Sequence, residues 1–131
     1  IEEKLKWPLF ILRVGIFIVM FIWTLDKFVR PEHTSAVFQK FYLMPALSNT
    51  ISYFIGAIQS LVVFGFIIGF KKKFTYGTIL ILHSVSTLSS YSQYFLPWDG
   101  AGILFFAAWP MLASIIALYK LRSYDTLFAV N

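Results

Sequence analysis

The sequence has no cysteine, which excludes disulfides, thiolate metal sites and dithiol redox chemistry. Charge is scarce as well: 13% of the 131 residues are Asp, Glu, Lys or Arg, against about a quarter in ordinary soluble domains. Acids are the rarer sign, 6 against 11 bases, for a formal charge of +5. That surplus does not point to nucleic acid, because the basic residues sit at the ends of apolar runs and do not line one exposed face. There is no glycine-rich phosphate loop, no clustered metal-ligand set and no nucleophile motif. No metal site, no intrinsic cofactor and no independent catalysis are therefore expected. The two histidines, His33 and His83, fall at different depths of the expected bundle, so a bis-histidine haem within one chain is not expected either.

What is abundant is apolar surface. Hydrophobic residues make up 59% of the chain and aromatic residues 20%, more than one small core can hide, because a short chain leaves much of its surface exposed. A lipid bilayer is the expected partner. Four apolar runs stand out, at about 7–25, 51–70, 74–96 and 101–119. Each is near the ~20 residues with which a helix crosses about 30 Å of hydrocarbon, and a helix satisfies its own backbone polar groups there. The expected architecture is an all-α integral membrane protein: a single domain, 1–131, forming an antiparallel bundle of four transmembrane helices. Between the first two spans, Val37, Phe38, Phe41 and Tyr42 recur at helical spacing. This predicts a short interfacial helix over 35–43, with an irregular loop as the alternative. Lys71-Lys72-Lys73 and Pro97-Trp98-Asp99-Gly100 read as tight turns. The first run is not expected to be a signal peptide, being long and lacking a small-x-small cleavage pattern. The chain opens Ile-Glu-Glu, so residue 1 need not be the native start.

Polar groups inside a span are costly and usually face the bundle interior. His83 lies near the centre of the third span and Gln59 near the centre of the second. A hydrogen bond between them is expected, either as a tie between helices or as part of a ligand contact or proton relay. From His83 a stripe of Ser86, Thr87, Ser90, Gln93 and Tyr94 follows along one helical face, read either as hydroxyls bonded to their own backbone or as a polar pocket open to the outer side. Arg13 either snorkels to the interface or pairs inward. Asp26, Lys27 and Asp99 form an expected outer rim. Pro110 is expected to kink the middle of the fourth span. Trp7, Trp23, Trp98, Tyr76 and Tyr119 fall near span boundaries, where aromatic belts form.

Leu12-Arg13-Val14-Gly15, then Phe21, Asp26-Lys27-Phe28 and Pro31, resemble the first span of the DoxX-like family of small four-span membrane proteins. Ile55-Gly56-Ala57-Ile58-Gln59 with Gly65, Gly69 and the tri-lysine run resembles that family's second span, although Gln59 stands where an acid is common. In the first span, Trp23-Thr24-Leu25-Asp26 replaces a glycine-containing stretch. The resemblance implies a link to membrane redox systems: a non-catalytic subunit, or a component whose Arg13, Gln59 and His83 hold a quinone-like head group, with other membrane subunits as partners. Two readings from other classes stand beside it, a binder or transporter of a lipid- or sterol-like ligand, and a purely structural subunit of a membrane complex.

Orientation follows from the bases. With four spans, Lys4, Lys6, Lys71, Lys72, Lys73, Lys120 and Arg122 share one side, and Lys27, Arg30 and Lys40 the other. The positive-inside rule then puts both termini in the cytoplasm of a bacterial-type inner or plasma membrane. Reporters fused after Asn131 and within Lys71–Lys73 are expected to give cytoplasmic signals; an opposite-side signal from either overturns the orientation.

Overall fold

The computed structural model describes residues 2–29, 49–89, 91–95, 98 and 102–130. Among these residues the chain is all helical, with no strands. The helices are α1 (Glu2–Val29), α2 (Asn49–Ile67), α3 (Lys72–Ser89), the short α4 (Tyr91–Phe95) and α5 (Ala108–Lys120), with 3-10 turns at Gly102–Ala107 and Arg122–Tyr124. The interfacial helix expected over 35–43 lies outside the described residues, as does Asp99.

Four long helices pack as a ring. α1 lies against α2, α2 against α3, α3 against α5 and α5 against α1. Neighbours run antiparallel: Gln59 of α2 meets Thr24 of α1 while Phe64 meets Phe21 and Phe17. On the other side of the ring, His83 meets Ala108 while Gly77 approaches Tyr119. The inward face of α1 is read directly from its spacing, with Leu9, Arg13, Ile16, Met20 and Thr24 all buried at steps of three and four. Val63 and Phe66 of α2, Tyr76 and Ile79 of α3, and Ile115 and Leu118 of α5 complete the apolar core. The outward faces are equally apolar: Ile11, Ile18, Phe54, Leu61, Phe74, Ile81, Leu88 and Ile116 are exposed. Among the described residues one helix, over Glu3–Val29, is long and apolar enough to cross a membrane, with a mean hydropathy of 2.2 over a stretch of which only 28% is buried. The apolar stretches Ile51–Ile67 and Phe105–Lys120 are shorter.

Two expectations are corrected in detail. The turn between α2 and α3 is 68–71, and Lys72 and Lys73 already belong to α3. The cause is Gly69, which takes a left-handed conformation at φ 71° and closes α2. The amide of Phe70 bonds the Gly65 carbonyl at 2.8 Å and that of Gly69 bonds Phe66 at 3.1 Å, the two-bond helix stop for which glycine is suited. Second, Pro110 does not interrupt the middle of a helix. A 3-10 segment precedes α5, so the proline stands in the first α-helical turn, where a missing N–H is tolerated. The stretch expected as one span over 74–96 is covered by α3 and α4 as far as Phe95, with Ser90 between them outside the described residues.

Two glycines separate backbone need from tolerance. A Cβ on Gly69 would sit 2.7 Å from that of Ala129, in a backbone conformation side chains avoid; a Cβ on Gly15 would meet nothing within 4 Å. Gly69→Ala is expected to destabilise the purified protein by about 2 kcal/mol, the cost of a left-handed non-glycine residue, plus the clash. Gly15→Ala is expected to be neutral or to stabilise by roughly 0.5–1 kcal/mol. Thermal unfolding of both variants checks this, and equal midpoints would remove the special role of Gly69.

Candidate functional site

Two buried polar clusters lie at different heights in the ring. The first closes the end that carries both termini. After the Arg122–Tyr124 turn the chain folds back under the bundle, and the Val130 amide bonds the Ile68 carbonyl at 2.8 Å. This return buries Asp125 completely beside Arg13, which is also fully buried. Arg13 Nη1 lies 3.8 Å from Asp125 Oδ2, Arg13 Nη2 donates to the Leu127 carbonyl, and the guanidinium carbon stands 5.3 Å from the centre of the Phe10 ring. Tyr76 donates its hydroxyl to Asp125 Oδ2, and Lys72 donates to the Asp125 backbone carbonyl. Phe128 covers the cluster's flank against Phe10 and Trp7, with ring centres 5.1 and 6.5 Å away.

Arg13 therefore pairs inward, with a carboxylate supplied by the chain itself. Asp125 was not singled out in the sequence, because a lone acid after the last apolar run has no pattern around it. The available signal was indirect: a span arginine needs a counter-charge, and only 6 acids exist to provide one. Tyr76, expected in an aromatic belt, is instead buried to 1% exposure, because Asp125 accepts from its hydroxyl and removes the cost of burying it.

The second cluster lies farther along. Thr24 is eleven residues beyond Arg13 on α1, about 16 Å at 1.5 Å per residue. Gln59 donates its amide to Thr24 Oγ1 at 2.8 Å, and Thr24 donates to the Met20 carbonyl at 2.7 Å. The neighbouring Trp23 stacks on the His83 imidazole, ring centres 5.9 Å apart and 21° from parallel. His83 is buried, at 1% exposure, with Nε2 bonded to the Ala108 carbonyl at 3.0 Å. Thr87 donates to the His83 carbonyl at 2.7 Å, and Tyr94 donates to the Thr87 carbonyl at 2.7 Å. Tyr94 in turn packs on Trp109, with ring centres 5.4 Å apart.

The expected Gln59–His83 hydrogen bond is thus replaced by two others. α2 packs more extensively on α1 than on α3, so the Gln59 amide meets Thr24 first, while His83 turns to α5. The two groups do belong to one layer, through the adjacent Thr24 and Trp23. Arg13 is not in that layer, so the trio expected around one head group is divided between the clusters. Of the stripe, Thr87 is buried and Ser86 half-buried; Ser90 and the Gln93 side chain lie outside the description. Asp26 and Lys27 are half-buried at the end of α1, and the Lys27 carbonyl accepts from Ser52 at 3.1 Å.

The chemical capacity of the two clusters differs. In the terminal cluster the buried carboxylate and guanidinium already face each other, although Arg13 Nε and Nη1 and Asp125 Oδ1 make no hydrogen bond. In the histidine layer one side-chain atom stands open to a partner: His83 Nδ1 is buried without one. Among the described residues no group of three or more His, Cys, Asp or Glu could hold a metal ion. An open cleft of about 200 Å³ on the returning tail, lined by Lys6, Ser123, Tyr124 and Thr126, includes no residue of either cluster. No protein family, curated protein or solved structure was found to match the chain.

Asp125→Ala leaves Arg13 buried without its counter-charge. The expected loss is about 3–5 kcal/mol, as for other buried pairs broken on one side, together with faster trypsin cleavage after Arg122 as the tail detaches. Asp125→Ala combined with Arg13→Met is expected to lose less than Asp125→Ala alone. Unfolding free energies of the wild type, Asp125→Ala, Arg13→Met and the double variant check this, and strict additivity of the two substitutions would deny the coupling.

Proposed function

We propose that the chain is a four-span integral membrane protein that serves, without catalysis of its own, as the quinone-interacting component of a membrane redox system. The bilayer reading is supported by an inverted distribution of side chains. Large apolar residues cover the outward faces while an arginine and an aspartate are fully buried, as expected where lipid is the solvent. The helix that is long and apolar enough to cross a membrane is mostly unburied, whereas the core helix of a soluble protein is mostly buried. In this reading the shorter helices cross as well, α3 and α5 being continued by α4 and the 3-10 segment, and both termini face the cytoplasm.

The observation that carries the functional reading is the imidazole of His83, enclosed in an apolar bundle, backed by Trp23 and with one nitrogen unpartnered. An aromatic face beside a single polar atom suits a flat, lipid-soluble ring with a polar substituent. The resemblance of the first two spans to DoxX-like proteins favours a redox setting, and the lack of a resident cofactor motif means that electrons come from a partner subunit. Arg13 has no part in this site, because Asp125 occupies it.

Mass spectrometry of the gently solubilised protein tests the proposal, reading partner chains and small molecules together. A redox subunit and a quinone retained by the wild type, with the quinone lost from His83→Phe, is the expected result. A lone protein carrying only lipid refutes the redox reading in favour of a hydrophobic-ligand binder. An obligate complex without small molecules refutes it in favour of a structural subunit.

A further inference from the structure

The bond that holds His83 also fixes what its other nitrogen can do. A carbonyl oxygen only accepts hydrogen bonds, so the contact between Nε2 and the Ala108 carbonyl at 3.0 Å places the imidazole proton on Nε2. In the neutral ring Nδ1 is then a bare lone pair, an acceptor without a donor. Three hydroxyls of the layer are committed elsewhere: Thr87 donates to the His83 carbonyl, Tyr94 to the Thr87 carbonyl and Thr24 to the Met20 carbonyl. Gln59 gives one of its two amide hydrogens to Thr24, and the other does not bond Nδ1. The layer therefore has an unmet demand for a hydrogen-bond donor, at an atom out of contact with solvent.

We infer that His83 Nδ1 accepts a hydroxyl hydrogen from the ligand, so that the layer selects the reduced, hydroquinone form of a lipid-soluble ring over its oxidised, carbonyl form. The inference rests on the proposed quinone-type reading and sharpens it. A quinone presents only carbonyl oxygens, and a carbonyl set against the Nδ1 lone pair pairs acceptor with acceptor, which leaves both groups desolvated and unsatisfied. A hydroquinone carries the O–H that the site lacks. Trp23 supplies the route. One face of its indole lies on the imidazole while 42% of the residue remains exposed on the outside of the ring of helices. In this reading Trp23 is therefore the side chain past which a ligand comes from the lipid to His83. Sites built to bond a hydroxyl discriminate strongly against analogues that lack it, because the protein's own polar atom is left unpaired.

The test uses full-length protein in lipid nanodiscs under argon, with His33→Asn so that His83 is the single histidine. The probes are durohydroquinone, duroquinone and dodecanol, and the readouts are dissociation constants and the ¹⁵N resonance of His83 Nδ1. Durohydroquinone is expected to bind about tenfold tighter than duroquinone, the worth of one hydrogen bond, and to shift the Nδ1 resonance. His83→Phe, which keeps a ring against Trp23, is expected to bring the ratio to about one by loss of that bond; the wild-type comparison stands even where this variant does not fold. Duroquinone binding as tightly as, or tighter than, its reduced form overturns the inference while leaving a quinone site in place. Dodecanol alone shifting Nδ1 supports a hydroxyl donor but overturns the aromatic ring, and with it the proposed function. No shift with any probe overturns both, and reduces Nδ1 to the partner of a buried water.

Discussion

A guanidinium buried to zero exposure is the constraint around which one end of this molecule is arranged. Arg13 cannot give up its charge, and its position on the inward face of α1 is fixed by the same three-and-four spacing that buries Leu9 and Ile16. Something anionic must come to it. Asp125 does so only because the chain turns back after α5, and that return draws in everything else: the Leu127 carbonyl against Nη2, Phe128 against Phe10, and Ala129 against the space left by Gly69. The glycine is therefore needed twice over, once to end α2 and once to admit the tail. An apolar pair of similar shape can match a buried ion pair for stability. What such a pair could not reproduce is the choice of which tail residue docks where.

The histidine layer follows a different logic. Here no charge demands a partner, and the side chains are tied by single hydrogen bonds that mostly run to backbone carbonyls. Thr24 both accepts from Gln59 and donates to Met20, so one hydroxyl connects α2 to α1 and secures itself to its own helix. His83 connects α3 to the first residue of α5. With Trp23 stacked on His83, the layer thus links all four long helices with four side chains, and keeps one acceptor in reserve. The helix-to-helix ties are modest, each a single hydrogen bond worth about 0.5–1.5 kcal/mol net, so the packed aromatic rings around them carry much of the cohesion.

What could be read from the sequence divides along local and non-local lines. The four apolar runs, the inward faces of α1 and α3, and the depth of Gln59 and His83 depend on periodicity and length, which a single chain displays openly. The stop at Gly69 was blurred by the adjacent lysines, which mark the turn by charge although glycine makes it. Pro110 misled because a proline inside a long apolar run looks central until the 3-10 segment before it is known. The partners of polar residues were the least legible. Whether Gln59 reaches His83 or Thr24 depends on which helix α2 packs against more closely, and that is set by Gly56, whose bare Cα lets Phe28 and Lys27 of α1 approach to within 3.3 Å of where a Cβ would stand. Asp125 was invisible for the same reason: its meaning lies in a contact made across almost the whole chain.

That long separation has a temporal side. Arg13 and Asp125 lie more than a hundred residues apart, and at synthesis rates of roughly 5–20 residues per second the acid follows the base by about 5–20 s. For that interval α1 holds its arginine without the acid that the folded protein gives it. The return after α5, made of residues synthesised long after α1, then fixes the guanidinium against Asp125, so the end of the bundle that Arg13 occupies is completed only once Asp125 has arrived.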